Sequence, residues 1–167
     1  MADKYSPDVS IAYKHIGYLA NSWALLEGTI EEILWFLIET TKGRAVTTYI
    51  NTPTQIDIIR KLTKKVVSVA AIKEDLNSIL ERIDDLRLLR NLAVNCRWDD
   101  SEGDDRNLVL KGIDYHSRIS LERTEIRLSV RKIADTNREI GEAHTDLTNF
   151  YLPLGFIPSF ELFYDKD

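Results

Sequence analysis

The residues best suited to chemistry lie in one nine-residue stretch, from Arg90 to Trp98. It contains the guanidinium of Arg90, the carboxamides of Asn91 and Asn95, and the indole of Trp98. A guanidinium is a rigid fork of hydrogen-bond donors, and a carboxamide both donates and accepts hydrogen bonds. Neither group transfers a proton at neutral pH. The stretch can therefore bind and orient a ligand, but it contains no imidazole.

A helix must position this stretch, because apolar residues recur before it at helical spacing: Leu76, Ile79, Leu80, Ile83 and Leu86. Arg90 falls in the middle of the same stripe at 100° per residue. A guanidinium on an apolar stripe is destabilising unless it is paired or lies at an interface or cleft. From periodicity alone, the favoured interpretation is that Arg90 lies at the end of a buried helix and extends its charged group to water.

Two further helices are predicted before this one. Ser6-Pro7-Asp8 is a helix start, and helical spacing from Ile16 to Ile38 extends the first helix towards Gly43. Gly17 and Gly28 inside it indicate either close helix packing or a modest loss of helix propensity. The second helix starts at the cap Asn51-Thr52-Pro53-Thr54. Its basic residues favour a solvated face over contact with a phosphate backbone; they are Arg60, Lys61, Lys64 and Lys65.

After the stretch, the acidic segment Asp99–Asp105 predicts a surface loop, because its spacing matches no calcium-binding pattern. Alternating apolar residues then predict a β-hairpin, or two extended segments, over residues 107–128, with a turn near His116-Ser117. Ser129 is the predicted N-cap of a last helix that Pro153 ends. We interpret His15 and His144 as surface histidines in polar parts of helices.

These elements predict a mainly α fold: an antiparallel helical bundle of four to five helices, with a short β-hairpin or extended insertion before the last helix. At 167 residues the chain is predicted to be a single domain, 1–167, with an aromatic tail at 152–167. We expect that apolar tail to pack on the body or on a second subunit.

Composition limits the classes of function. The net charge of −5 argues against a protein coated by nucleic acid but allows a local basic cleft. A single cysteine, Cys96, fits a reducing compartment, and no apolar signal core is present at the N-terminus. The longest apolar run, Ile33–Ile38, is too short to span a bilayer. We expect a cytoplasmic protein with no membrane partner, metal or cofactor.

The order of elements resembles the HEPN superfamily. The features that carry this resemblance are a long first helix with Trp-x-x-x-Glu (Trp23, Glu27), a second helix pair, and a helix that ends in Arg90-Asn91. The family signature is an arginine, usually followed by a polar residue, with a histidine four to six residues after the arginine and often a small residue and a tryptophan after that. Arg90, Asn91 and Trp98 match this signature, but Asn95 occupies the histidine position. The resemblance covers roughly residues 7–150.

The resemblance implies a metal-independent endoribonuclease, a hydrolase of toxin–antitoxin or phage-defence type. Arg90, Asn91 and Asn95 would occupy the catalytic positions, and Arg87, Arg97 and Trp98 are the predicted substrate contacts. A histidine can carry a proton near neutral pH and an asparagine cannot. We therefore expect the chain as written to be inactive or weak. Asn95 fits either a naturally non-catalytic member or a deliberate change that disarms a toxic protein.

The partners implied by the resemblance are RNA, a second copy in a two-fold dimer and a cognate antitoxin. On a regular helix, Arg90 and Asn95 point about 140° apart, so they share a site only if the helix ends or distorts, or if a second copy contributes. Two alternatives stay open. One is a non-catalytic HEPN-like module that binds nucleotide, RNA or protein. The other is a structural helical dimer in which Arg90 pairs with an acid such as Asp84, Asp85 or one on the other subunit.

Overall fold

A computed structural model of the chain describes residues 7–38, 45, 47, 49–66, 70–102, 108–114 and 124–156. The helices are α1 (Pro7–Ile38), α2 (Thr52–Val66), α3 (Ala70–Asn95) and α4 (Val130–Tyr151), followed by a 3₁₀ turn (Leu152–Leu154). The strands are β1 (Arg97–Glu102), β2 (Val109–Asp114) and β3 (Thr124–Ser129). The fold is mainly α with a small antiparallel insertion before the last helix, and this confirms the predicted fold class.

The chain forms two compact units, each built from separate segments. The first unit contains Met1–Trp23 and Asp85–Ile140, and the second contains Ala24–Asp84 and Gly141–Asp167. Helices α1, α3 and α4 each contribute residues to both units. The prediction of a single domain stays a prediction. Across the described ranges, no helix is long and apolar enough to span a membrane.

The first unit contains a three-stranded antiparallel sheet in the order β1-β2-β3. In the β2–β3 pair, Leu110 lies opposite Leu128, and both side chains are buried. The alternation that predicted this hairpin reflects one buried face of the sheet. Residues 115–123, which include the predicted turn at His116-Ser117, lie outside the described residues.

The acidic segment after Trp98 was predicted as a loop, and this prediction is wrong as far as Glu102. These residues form β1, which pairs with β2 around an irregularity between Trp98 and Asp100. The Glu102 carboxylate lies 2.7 Å from Lys111 Nζ and 3.0 Å from Arg127 Nη1. Cations on β2 and β3 therefore accommodate this acid within the sheet. The remainder of the predicted loop, residues 103–105, lies outside the described range.

The second unit has a core of aliphatic residues from all four helices: Leu26, Ile30, Ile33, Leu34, Ile56, Ile59, Leu76, Leu80, Ile83, Ala143 and Leu147. Tyr151 is fully buried with them, and its hydroxyl lies 2.7 Å from Thr63 Oγ1. Burial raises the pKa of Tyr151 to about 12, although the Thr63 hydrogen bond opposes this shift. Phe156 packs edge-on against Phe36, with ring centroids 5.9 Å apart. The predicted packing of the aromatic tail on the body is thus confirmed as far as Phe156, and residues 157–167 lie outside the description.

Local signals at three helix starts are confirmed, whereas the predicted cap at Ser6 and the predicted stop at Gly43 lie outside the described residues. Helix α1 begins at Pro7. Asn51 Oδ1 accepts a hydrogen bond of 3.0 Å from the backbone N–H of Thr54, and Ser129 Oγ accepts one of 3.1 Å from that of Lys132. Both are N-caps. Of the alternatives for Gly17 and Gly28, close packing is not found, because a Cβ at either position would meet no described atom within 4 Å.

The prediction that His144 is a surface residue is wrong. Its imidazole is half-buried, and its Nε2 lies 2.8 Å from Oγ1 of the buried Thr29 in α1. Burial lowers the pKa of His144, and the Glu32 carboxylate partly opposes this shift. The residues around His144 in the sequence are polar, and this pattern does not indicate that the His144 side chain itself faces the hydroxyl of Thr29.

Candidate functional site

Helix α3 continues without a break through Asn95. The backbone N–H of Cys96 donates to the carbonyl of Leu92 at 3.2 Å and closes the last turn, and β1 begins at Arg97. The helix neither ends nor distorts between Arg90 and Asn95, so the two residues leave it about 140° apart. The Asn95 side chain is exposed, whereas that of Arg90 is half-buried. A single chain therefore does not bring these two predicted residues together directly.

Asn91 connects Arg90 with the neighbouring face of α3. Arg90 Nη1 donates a hydrogen bond of 2.9 Å to Asn91 Oδ1. Arg87, Asn91 and Asn95 follow each other at intervals of four residues, so they share one face of the helix. The hydrogen bond holds the Arg90 guanidinium towards the face that carries these three predicted site residues. Four of the six predicted residues are therefore connected to one helix face: Arg90 through its hydrogen bond to Asn91, and Arg87, Asn91 and Asn95 through their spacing. We call these four residues the cluster around Arg90.

Trp23 lies beneath the Arg90 guanidinium. The guanidinium carbon is 5.9 Å from the centroid of the Trp23 ring, and Trp23 is 1% exposed. A cation at this distance is attracted by the π face of an indole. Arg90 Nε is buried, and among the described residues it has no hydrogen-bond acceptor. Within the same residues, Arg90 forms no ion pair. The intrachain ion pair that the structural alternative predicts is therefore not found in this part of the chain.

Trp98 packs inside the first unit. It is 3% exposed, and its Nε1 donates to the carbonyl of Ala93 at 2.8 Å, which satisfies one of the last carbonyls of α3. Its own carbonyl accepts a hydrogen bond of 3.4 Å from the Tyr13 hydroxyl. Gly112 lies opposite on β2, where a Cβ would come within 2.7 Å of the Trp98 ring. The structure therefore gives Trp98 a packing role, and its burial does not support the predicted contact with substrate.

The remaining predicted substrate contacts are Arg87 and Arg97. Arg97 is exposed at the start of β1, Arg87 is half-buried, and both already have interaction partners. Of the other two residues quoted for the family resemblance, Trp23 lies beneath Arg90, whereas the Glu27 carboxylate accepts a hydrogen bond of 2.7 Å from Thr52 in the second unit. Sequence reasoning missed the contact of Trp23 with Arg90, although Trp23 was already part of the quoted pattern.

Comparisons of the chain with models of protein families, with curated proteins and with solved structures give no match. The resemblance to the HEPN superfamily therefore rests on the residues quoted for it. The cluster around Arg90 offers amide and guanidinium groups, which suit hydrogen bonding to an anion such as a phosphate. Within the described residues, no group of three or more His, Cys, Asp or Glu side chains is placed to hold a metal ion.

Proposed function

We propose that the chain is a HEPN-like RNA-binding protein with the framework of a metal-independent endoribonuclease, in which Asn95 leaves cleavage weak or absent. The observation that carries this proposal is the Arg90–Asn91 hydrogen bond at 2.9 Å, on the helix face that continues to Asn95. It supports a preoriented guanidinium fork, the group best matched to a phosphate. In this proposal the protein acts in the cytoplasm as a toxin or defence effector.

The proposed reaction begins with the ribose 2′-oxygen, which attacks the adjacent phosphorus while the bond to the 5′-oxygen breaks. Arg90 stabilises the negative charge that develops on the phosphoryl oxygens, and Asn91 orients the guanidinium. One proton must leave the 2′-hydroxyl and another must reach the 5′-oxygen. The Asn95 carboxamide can do neither at neutral pH. The loss of such acid–base catalysis lowers a rate by about 10²–10⁴-fold.

A second copy of the chain would complete the cleft in this proposal. Helical geometry supports this arrangement, because Arg90 and Asn95 leave one continuous helix in different directions and Asn95 is exposed. In a two-fold dimer, the commonest symmetric assembly, Asn95 of one copy would lie across the cleft from Arg90 of the other. RNA, the second copy and a cognate antitoxin are the proposed partners.

The test restores the proton carrier. We expect the Asn95→His variant to cleave single-stranded RNA in the presence of a metal chelator about 10²-fold or more faster than the original chain. Asn95→Gln is the matched control, since it changes the side chain at the same exposed site without adding an imidazole. Arg90→Ala in the Asn95→His background should return cleavage to the original level. Intact RNA with folded Asn95→His protein contradicts the ribonuclease proposal.

The second candidate is a non-catalytic module that binds RNA through the same residues. The observation that favours it is the chemistry of the Arg87–Asn91–Asn95 face, which holds one guanidinium and two carboxamides but no imidazole. This candidate predicts that the original chain binds RNA, that binding weakens as salt rises, and that Arg90→Ala reduces it. It also predicts that Asn95→His adds no cleavage, which distinguishes it from the first candidate.

A further inference from the structure

A groove of about 450 Å³ lies between α3 and α4 within the second unit, and none of its lining residues belongs to the cluster around Arg90. Asp75, Ser78, Ile79 and Arg82 of α3 form one side, and Asp146, Asn149 and Phe150 of α4 form the other. Small-molecule sites commonly have volumes of about 300–1,000 Å³ and combine apolar walls with a few polar groups. The groove has a volume in this range, and its lining combines two apolar side chains with five polar ones.

One end of the groove presents a cation and an anion side by side. Arg82 Nη2 lies 2.5 Å from Asp146 Oδ2. Both side chains are partly exposed, at 39% for Arg82 and 49% for Asp146. Arg82 Nε is buried and lacks a hydrogen-bond acceptor among the described residues. An arginine donor and an aspartate acceptor in contact are complementary to the carboxylate and ammonium groups of an α-amino acid.

Asp75 lies at the other end. It is exposed, and within the described part of the chain it has no ion pair. Seven residues separate Asp75 from Arg82, which corresponds to about 10 Å along the axis of α3. Between them, Ile79 and Phe150 provide apolar surface. A ligand that spans the groove therefore meets a paired Arg–Asp end, an apolar middle and an unpaired carboxylate.

We propose that this groove binds a free basic α-amino acid of the lysine type. Its α-carboxylate binds Arg82, its α-ammonium binds Asp146, its methylene stem lies on Ile79 and Phe150, and its terminal ammonium binds Asp75. The formal charges of the groove and of the ligand are also complementary. The lining carries two carboxylates and one guanidinium, a formal charge of −1, and free lysine carries +1 at neutral pH. Binding at this groove is independent of the proposed ribonuclease activity.

The experiment titrates the full chain with L-lysine and follows binding by calorimetry and by NMR shifts. Norleucine lacks the terminal ammonium, and Nα-acetyl-lysine methylamide lacks both charges of the head group. We expect each to bind about tenfold or more weakly than lysine, because each loses charge-assisted hydrogen bonds. A blocked lysine that binds as tightly as the free amino acid overturns the proposal, since it would assign the groove to a lysine side chain of a protein.

Two variants with the same change of charge locate the site. Asp75→Asn removes the partner of the terminal ammonium and should weaken lysine binding about tenfold or more, while norleucine binding stays unchanged. Glu74→Gln is the matched control, because Glu74 is exposed on α3 but does not line the groove. Equal affinity in both variants overturns the proposal, as does the absence of binding at millimolar lysine. A melting curve for each variant verifies that it is folded.

Discussion

Arg90 is the residue whose environment most affects the proposed function. Its guanidinium lies over the buried ring of Trp23 and donates to Asn91. A cation–π contact of this kind contributes about 0.5–2 kcal/mol, depending on how far the cation is desolvated. Together the two contacts restrict the long arginine side chain to one orientation before any ligand arrives. Such preorganisation reduces the entropy lost when a phosphate binds.

His144 has a predictable effect on stability as pH changes. Burial lowers the pKa of His144 in the folded state below its usual 6.5, so the unfolded chain binds more protons in weakly acidic solution. The contribution of the neutral imidazole is therefore fully present above about pH 6.5 and is lost as pH falls through the lower folded pKa. We expect denaturant midpoints to fall less between pH 7.5 and pH 5.5 for His144→Gln than for the original chain.

Glu32 supplies the control for this pH dependence. Its carboxylate raises the pKa of His144 against the effect of burial. In Glu32→Gln the pKa of His144 should fall further, and the loss of stability over the same pH interval should become steeper. Identical pH slopes for the original chain and His144→Gln would refute the assignment to His144.

At the scale of elements, the pairing of β1 with β2 depends on Gly112. A Cβ at this position would lie 2.5 Å from the carbonyl oxygen of Arg97 and 2.7 Å from the Trp98 ring. We expect Gly112→Ala to destabilise the fold by about 1–3 kcal/mol, because strand and indole must both move. Chemical denaturation provides the measurement.

Gly141 is the matched control for Gly112. It is exposed inside α4, and a Cβ there would meet no described atom within 4 Å. Gly141→Ala should stabilise the protein by about 0.5–1 kcal/mol, because alanine has the higher helix propensity. Similar effects of the two substitutions would mean that Gly112 is not a site of close approach.

Ser129 joins two elements, as the last residue of β3 and the N-cap of α4. Ser129→Ala removes the acceptor for the backbone N–H of Lys132, and we expect a loss of about 1 kcal/mol in the free energy of unfolding. Thr145→Ala, which alters an exposed hydroxyl in the middle of the same helix, should not destabilise the protein. Equal losses in the two variants would count against the cap.

At the scale of the whole molecule, the proposed dimer can be tested by mixing two inactive chains. One is the original chain, with Arg90 and Asn95. The other carries Arg90→Ala together with Asn95→His. If each cleft combines Arg90 of one copy with residue 95 of the other, the mixed dimer contains one complete site.

The mixture should therefore cleave RNA in the presence of a metal chelator, whereas each chain alone should not. The expected gain over either chain is about 10²-fold or more. Mass measurement verifies that mixed dimers form. Mixed dimers without cleavage, alongside an active Asn95→His homodimer, would exclude a cleft shared between copies.

Much of the fold could be predicted from local patterns. Helical spacing, Pro7, Asn51, Ser129 and the alternation before α4 indicated elements that the structure contains, because caps and periodicity depend on residues a few positions apart. The placement of Arg90 and Asn91 near the end of a helix was predictable for the same reason. The proposed chemistry also comes from the sequence, since Asn95 lacks a titratable group whatever its surroundings.

Tertiary structure alone decided which of these side chains meet others. The acidic residues after Trp98 became a strand because pairing with β2 supplies backbone partners, and because Lys111 of β2 and Arg127 of β3 supply cations for Glu102. Trp98 became part of the core, and His144 met Thr29, through contacts between residues far apart in the chain. The same holds for Trp23 beneath Arg90 and for the groove between α3 and α4. Burial and long-range pairing depend on how elements pack, so the periodicity of one segment does not predict them.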